Sequence, residues 1–349
     1  MLQAEYRHVI LHFKETAITS RSRMDAKDTY VTKLTDTDIP GRCGIGECAL
    51  FRGLSAEDTA GYERMLAKAC ACPTDLPEIS SIRFGFESAL ADLQTGGLQR
   101  LYDTPFTQSE KFITINGLIW MGDKNTMRKR IAQKIEQGFG CVKLKIGGIS
   151  FDEETELLAG IRRNFSRSEI ELRLDANGAF STHDALDKLN RLASFDIHSI
   201  EQPIKPGQWE AMAELCEKSP IPIALDEELI GYTGMAQKVA LLDMIKPSYI
   251  ILKPSLCGGF AEADSWIAMA EERNIRWWAT SALESNIGLN AIAQWVSTYD
   301  TQMPQGLGTG QLYKQNFSTP LKLEGEKMFC IDRNIDSTSL WEETNRMLI

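Results

Sequence analysis

Five ionisable side chains, Lys145, Asp175, Glu201, Asp226 and Lys253, each close a short apolar run: CVKLK, ELRLD, HSIE, PIALD and YIILK. They follow one another at intervals of 30, 26, 25 and 27 residues. A strand, a helix and two loops need about that length, so the series reads as consecutive βα units that each deliver one charge at the C-terminal end of a strand. In a parallel barrel that end is the active face. Side chains two apart share a face, which turns Lys143 inward with Lys145 and Arg173 inward with Asp175. Asp175, Glu201 and Asp226 come from successive strands and stand side by side. Three adjacent carboxylates cannot all remain ionised without a cation. An all-oxygen donor set suits Mg²⁺, with Mn²⁺ as a substitute.

The lysines lie at the edges of this acidic centre. A lysine is a useful base only when partly neutral, and moving it from about 10.4 toward about 7–8 takes roughly 3–5 kcal/mol of bias. Lys143 beside Lys145 and a bound cation push in that direction; the carboxylates oppose it. A base next to a metal that chelates a carboxylate fits abstraction of the proton α to that carboxylate, with charge stabilisation of the enediolate. The same residues admit other readings. One is a structural salt-bridge network inside a barrel. Another is a Schiff-base lysine at position 145 or 253, which needs no cluster of three carboxylates. A third, a barrel that binds without catalysing, would show a broken ligand set, and here none is broken.

The elements that must position these groups are legible in outline. Residues 4–17, 29–36 and 42–50 read as an antiparallel meander, and 56–70 and 78–95 as helices. Strands followed by helices, without alternation, describe a separate α+β unit. The polar stretch around 18–28, TSRSRMDAKD at its centre, reads as an exposed loop or a lid. From about residue 111 the pattern alternates, with helices expected at 124–137, 152–165, 182–194, 208–217, 233–242, 259–273 and 286–297, and QGLGTG as a last short segment that could close the set. Seven or eight such units argue for a (β/α)8-type barrel, and no glycine-rich dinucleotide loop follows the first strand. The fold class is therefore α/β: a TIM-like barrel with an α+β capping domain built from the N-terminus and the C-terminal tail. The expected division is 1–105 for the cap, 106–310 for the barrel and 311–349 for a tail that returns to the cap, with a turn at Glu324-Gly325.

A net charge of −10 over 349 residues, without a long basic run, makes nucleic acid and anionic membrane poor partners. No stretch approaches the ~18–20 apolar residues of a membrane span, and the N-terminus mixes charge with apolar residues, unlike a signal peptide. The expected location is cytoplasmic. Eight scattered cysteines without CxxC pairs fit reduced thiols, and Cys70-Ala-Cys72 lacks a second ligand pair for zinc. The four histidines form neither an HxxxH pair nor a triad with a serine. His198 is read as a core or supporting residue, and Trp277 and Trp278 as packing on opposite faces of one strand.

Lys143-Leu-Lys145, Asp175-Ala-Asn177, Glu201-Gln-Pro203, Asp226-Glu227 and Lys253-Pro254, in this order, resemble the enolase superfamily and within it the muconate-lactonizing subgroup. The resemblance spans nearly the whole chain, since Gly44-Ile45-Gly46-Glu47 looks like the end of that family's capping meander. It implies that Asp175, Glu201 and Asp226 bind Mg²⁺, and that Lys145, as base, faces Lys253 across the substrate. Lys-or-His bases with Mg²⁺ are known for this superfamily. It also implies that Asn177 and Glu227 neighbour the metal site, that Arg173 lies a layer below it, and that the 18–28 loop closes over the substrate with Arg21 or Arg23 available to anions. Members perform cycloisomerisation, dipeptide epimerisation, N-acylamino acid racemisation or o-succinylbenzoate synthesis. Dipeptide epimerases tend to carry an Asp-x-Asp at the eighth strand end, where this chain has Gly306-Leu-Gly308-Thr-Gly310. Backbone N–H groups there suit a carboxylate, although a plain barrel-closing turn reads equally well. With Ser281-Ala-Leu-Glu-Ser285, the segment is most similar to the o-succinylbenzoate synthases, which implies a small carboxylate substrate, Ser281 and Gly308 near it, and a lyase of menaquinone synthesis. Barrels of this family often associate as homo-oligomers.

Overall fold

The computed structural model describes residues 1–18, 23–331 and 335–348. The chain opens with three antiparallel strands, β1 (Leu2–Ile18), β2 (Arg23–Asp36) and β3 (Cys43–Cys48), followed by α1 (Tyr62–Ala71) and α2 (Ser80–Gln94). Gly44 and Gly46 explain how β3 packs. A Cβ at either would stand 1.9 Å from a carbonyl oxygen of α2, Ala89 O and Gly85 O respectively, so strand and helix meet backbone to backbone. Tyr30, Leu34, Leu66, Ile82, Phe86 and Leu93 fill the space on one side of this sheet. The strand β2 begins earlier than expected. Residues 23–28 are not a loop: they pair with β1 from Ile18↔Arg23 to Ile10↔Asp28, past an irregularity between His12 and Ala17. Polar composition hid the strand because Arg23 and Asp25 face solvent while Lys27 is buried. Residues 19–22, with Arg21, lie outside the described residues.

The barrel follows as β4 (Ile113–Thr114), β5 (Gly117–Ile119), α3 (Lys124–Glu136), β6 (Cys141–Lys145), α4 (Phe151–Arg162), β7 (Glu171–Asp175), α5 (Ala185–Leu192), β8 (Ile197–Glu201), α6 (Trp209–Lys218), β9 (Ile223–Leu225), α7 (Met235–Ile245), β10 (Tyr249–Leu252), α8 (Phe260–Glu271), β11 (Arg276–Ala279) and α9 (Asn286–Val296). Strands β5 to β11 form a parallel sheet in sequential order. Two residues close it. Gln305 bridges Ile115 and Gly306 bridges Thr280, both in parallel sense, through Asn116 N to Gln305 O at 2.9 Å and Gly306 N to Ala279 O at 2.8 Å. Glycine at 306 leaves room for this approach: a Cβ there would lie 2.2 Å from Thr280 Oγ1, which would have to shift. The result is a (β/α)8-type barrel with an antiparallel cap.

Alternation sorts the strands. Val142, Leu144, Leu172, Leu174, Ile250 and Leu252 pack against the helices. On β11, Trp277 joins Trp295 and Tyr299 on that outer side, whereas Trp278 packs inside with Tyr249 and Ile251. The tail divides between the two units. β12 (Leu321–Glu324) and β13 (Lys327–Cys330) form a hairpin that pairs with β4, while Tyr313 and Leu348 bridge β1 at Phe13 and Val9. The last helix, α10 (Ser337–Glu343), places Leu340 and Trp341 in the cluster shared by Val9, Leu11, Val31 and Ile45. All eight cysteines are free thiols, and among the described residues no helix is long and apolar enough to cross a membrane.

Candidate active site

Parallel register sets Lys145 level with Asp175, and Asp175 level with Glu201. Glu201 pairs with Ala224, so Asp226, two residues on and just past the end of β9, shares its inward face. All are buried: Lys143 is 4 % exposed, Lys145 8 %, Asp175 1 %, Glu201 1 % and Asp226 2 %. Burial of this many charges demands partners, and they have them. Lys145 Nζ donates to Asp175 Oδ2 at 2.7 Å and to Asn177 Oδ1 at 2.8 Å. Lys143 Nζ lies 2.5 Å from Glu201 Oε2 and 3.2 Å from Asp175 Oδ2. Lys253 Nζ donates to Asp226 Oδ2. Three ammonium groups thus interleave with three carboxylates. Among the described residues no three acids, histidines or cysteines are gathered as a ready metal cluster, and Lys143 reaches both Asp175 and Glu201.

The electrostatics single out one acid. Burial raises Glu201 well above the carboxylate range, and the nearby Asp175 charge adds to it more than Lys143 offsets. Burial would raise Asp175 as well, but Lys143 and Lys145 pull it below its ordinary value, and Lys253 does the same for Asp226. Burial alone would lower Lys143 and Lys253; the adjoining carboxylates outweigh it and hold both above the ordinary lysine value. Glu201 therefore wants a proton or a cation, and its Oε1 is buried with no hydrogen-bond donor in reach.

The strand ends are held by their own loops. Asn177, at φ 45°, donates from Nδ2 to Glu227 Oε1 at 2.9 Å, linking the loops after β7 and β9. Gln202, at φ 39° and fully buried, donates to Glu228 Oε2 at 3.0 Å and accepts from the Asp226 and Glu228 amides. Arg173 points the other way. It donates to Glu171 Oε1 and Pro304 O and lies 4.5 Å over the Trp278 ring. His198 is nearby, facing Glu171 and Tyr249. Both belong to the lower barrel, away from the cavity.

One cavity opens onto the lysines. Lys143, Lys145, Asp175, Asn177 and Lys253 form its floor; Ser281, Leu283, Gly308 and Thr309 form one wall; Phe51 and Leu54 of the cap and Trp120 form the other. Lys145 Nζ is 5.6 Å from the centroid of the Trp120 ring. Ser281, 4 % exposed, donates to Glu284 Oε2 at 2.5 Å and accepts from Thr309 Oγ1 at 2.8 Å, so its proton is committed within the wall. Gly308 faces the cavity: a Cβ there would meet only Ile115 Cδ1 at 3.5 Å and Asn116 O at 3.7 Å. Arg23 is exposed on β2 and does not line this cavity. Sequence reading missed Phe51, Leu54, Trp120 and Glu284. The first three are apolar residues without periodic signal, and Glu284, inside the Ser281-Ala-Leu-Glu-Ser285 run, shows its part only through burial and the hydrogen bonds it accepts from Ser255 and Ser281.

Residues 126–328 match the enolase C-terminal domain-like family. The o-succinylbenzoate synthase of Desulfotalea psychrophila is 46 % identical over 93 % of this chain and 98 % of its own. The crystal structure of MenC from Desulfotalea psychrophila superposes with a TM-score of 0.80 at 43 % identity, covering 94 % of this chain and 99 % of that one. The L-Ala-D/L-amino acid epimerase of a Maribacter species is more distant, 23 % identical over 86 % of this chain and 88 % of its own. The chain belongs to the enolase superfamily.

Proposed function

We propose that the chain is an o-succinylbenzoate synthase, which removes water from 2-succinyl-6-hydroxy-2,4-cyclohexadiene-1-carboxylate to give 2-succinylbenzoate on the route to menaquinone. The observation that carries the substrate is the near-complete alignment at 46 % identity with a protein of that activity, against 23 % for the Maribacter epimerase. The reaction class rests on the buried lysines facing one cavity. The 306–310 segment supports the choice, since it brings no carboxylate to hold a substrate ammonium.

In this reading Lys145 Nζ takes the proton α to the ring carboxylate, and the C–H electrons pass into that carboxylate as an enediolate. Collapse of the enediolate expels the neighbouring hydroxyl, which recovers the proton from Lys145 and leaves as water; the ring becomes aromatic. Asn177 Oδ1 orients the amine by accepting one of its hydrogens. Lys253, held cationic by Asp226, faces the developing negative charge. Lys143 balances Asp175 and Glu201 without entering the reaction. Phe51, Leu54 and Trp120 exclude water from the ring.

Asp175, Glu201 and Asp226 would hold Mg²⁺, or Mn²⁺ in its place. The hard oxygen donors, the undonated Glu201 Oε1 and the upward shift of Glu201 all suit a divalent cation. Bound there, the ion supplies positive charge that lowers the cost of an enediolate. The test is turnover of the cyclohexadiene by wild type, Lys145→Ala and Lys253→Ala, with and without chelator. A wild-type enzyme that leaves the diene unchanged, or variants that keep near-normal rates, would sink the assignment.

A further inference from the structure

Leu283 adopts φ 63°. A leucine enters the left-handed region only against steric resistance, so its surroundings must over-determine it. They do so from three parts of the chain. Its N–H donates to Ser281 Oγ at 3.1 Å. Its carbonyl accepts from Tyr313 Oη at 2.6 Å and from Lys27 Nζ at 3.0 Å. Tyr313 comes from the tail and Lys27 from β2 of the cap. Leu283 lines the cavity and packs in the apolar cluster of Phe13, Ile287 and Tyr313.

Lys27 is 5 % exposed, and among the described residues its ammonium has no carboxylate partner. A buried cation without a counter-ion is costly to keep for packing alone. Its Nζ reaches the Leu283 carbonyl and lies 5.9 Å from the centroid of the Phe51 ring. Leu283 and Phe51 are walls of the same cavity, one from the barrel and one from the cap. The cap hairpin is thereby tied by one side chain to both.

We propose that Lys27 is a positioning residue: by holding the Leu283 carbonyl it locks Leu283 in the left-handed conformation and fixes the apolar wall that selects the substrate. Leu283 is then the specificity-determining residue, and docking of the cap sets the width of the cavity. The identity of that substrate rests on the function proposed above; the lock itself does not.

Lys27→Met keeps the aliphatic stem and removes the donor, and Lys27→Arg restores one. The KM for the cyclohexadiene should rise about tenfold or more in Lys27→Met with kcat within about threefold, and Lys27→Arg should recover most of the loss. Amide exchange over residues 281–285, followed by mass spectrometry, should quicken about tenfold in Lys27→Met and remain slow elsewhere in the cap. The lock is overturned if exchange over 281–285 is unchanged. It is also overturned if exchange quickens across the whole cap while kcat and KM worsen together, because Lys27 would then be a structural anchor only. A wild-type enzyme inert toward the diene would refute the substrate assignment, and the exchange measurement would still decide the lock.

Discussion

Lys143 and Lys145 reach the same oxygen, Asp175 Oδ2, at 3.2 and 2.7 Å, yet removing them should have different consequences. Lys145→Ala leaves Asp175 paired with Lys143, so the fold should survive with a melting temperature within a few degrees of wild type. What is lost is the base. Turnover should fall by about 10²- to 10⁴-fold, measured as kcat on the diene. Lys143→Ala instead strips Glu201 of the ammonium 2.5 Å from it and Asp175 of one of the two that reach its Oδ2. Breaking a buried ion cluster in this way costs about 3–5 kcal/mol. If the three acids bind a divalent cation, Mg²⁺ or Mn²⁺ should return part of that stability, because a ligand that binds only the folded state stabilises it. Thermal melts of Lys143→Ala with chelator and with Mg²⁺ check this, and a melting point indifferent to the metal would count against the donor set.

At the scale of elements, one junction between cap and barrel is built on the carboxylate of Glu47. Glu47, fully buried at the end of β3, accepts from Ser285 Oγ at 2.6 Å, Gly288 N at 3.0 Å and Thr29 Oγ1 at 2.9 Å, and from Ser285 N. It caps α9 from another part of the chain. Glu47→Gln keeps the size but loses the charge, and should lower stability by about 1–3 kcal/mol in denaturant unfolding, since two helix amides and two hydroxyls compete for a weaker acceptor. None of this could be read from Gly44-Ile45-Gly46-Glu47 as a string, because its barrel partners Ser285 and Gly288 lie 238 and 241 residues away. The five charged strand ends were readable for the opposite reason. Each is fixed by local alternation, and their spacing is set by the length of one βα unit. The eighth strand was half legible: its glycines could be seen, but a closure of two residues, Gln305 and Gly306, leaves no periodicity to detect. The start of β2 was misread because pairing with β1, a non-local contact, overrode polar composition. The Leu283 lock was invisible, since a left-handed leucine carries no sequence mark.

Across the whole molecule a second junction links cap to barrel at the start of α8, and it should make stability depend on pH. Glu87 on α2 accepts from Phe260 N and, at 3.4 Å, from Ala261 N in the first turn of α8. Gly259, at φ 87°, permits the approach: a Cβ there would stand 2.7 Å from Glu87 Oε2. Burial raises Glu87 from the ordinary 4.5 to about 7, and the two backbone donors offset only part of that rise. The folded protein therefore keeps this proton up to about pH 7, whereas the unfolded chain releases it near the ordinary carboxylate value. The protonated side chain contributes its full stability below the unfolded value, and that contribution is lost as pH rises through the folded one. Allowing for the partial exposure of Glu87, the loss is about 2 kcal/mol. Glu87→Gln retains an acceptor for the Phe260 amide and stays neutral throughout. Its stability should match wild type near about pH 4.5 and exceed it by about 2 kcal/mol near about pH 8, with the difference opening between. Urea unfolding of both proteins at several pH values measures it. Parallel curves would mean that α8 holds Glu87 as an anion, its helix N-terminus outweighing burial.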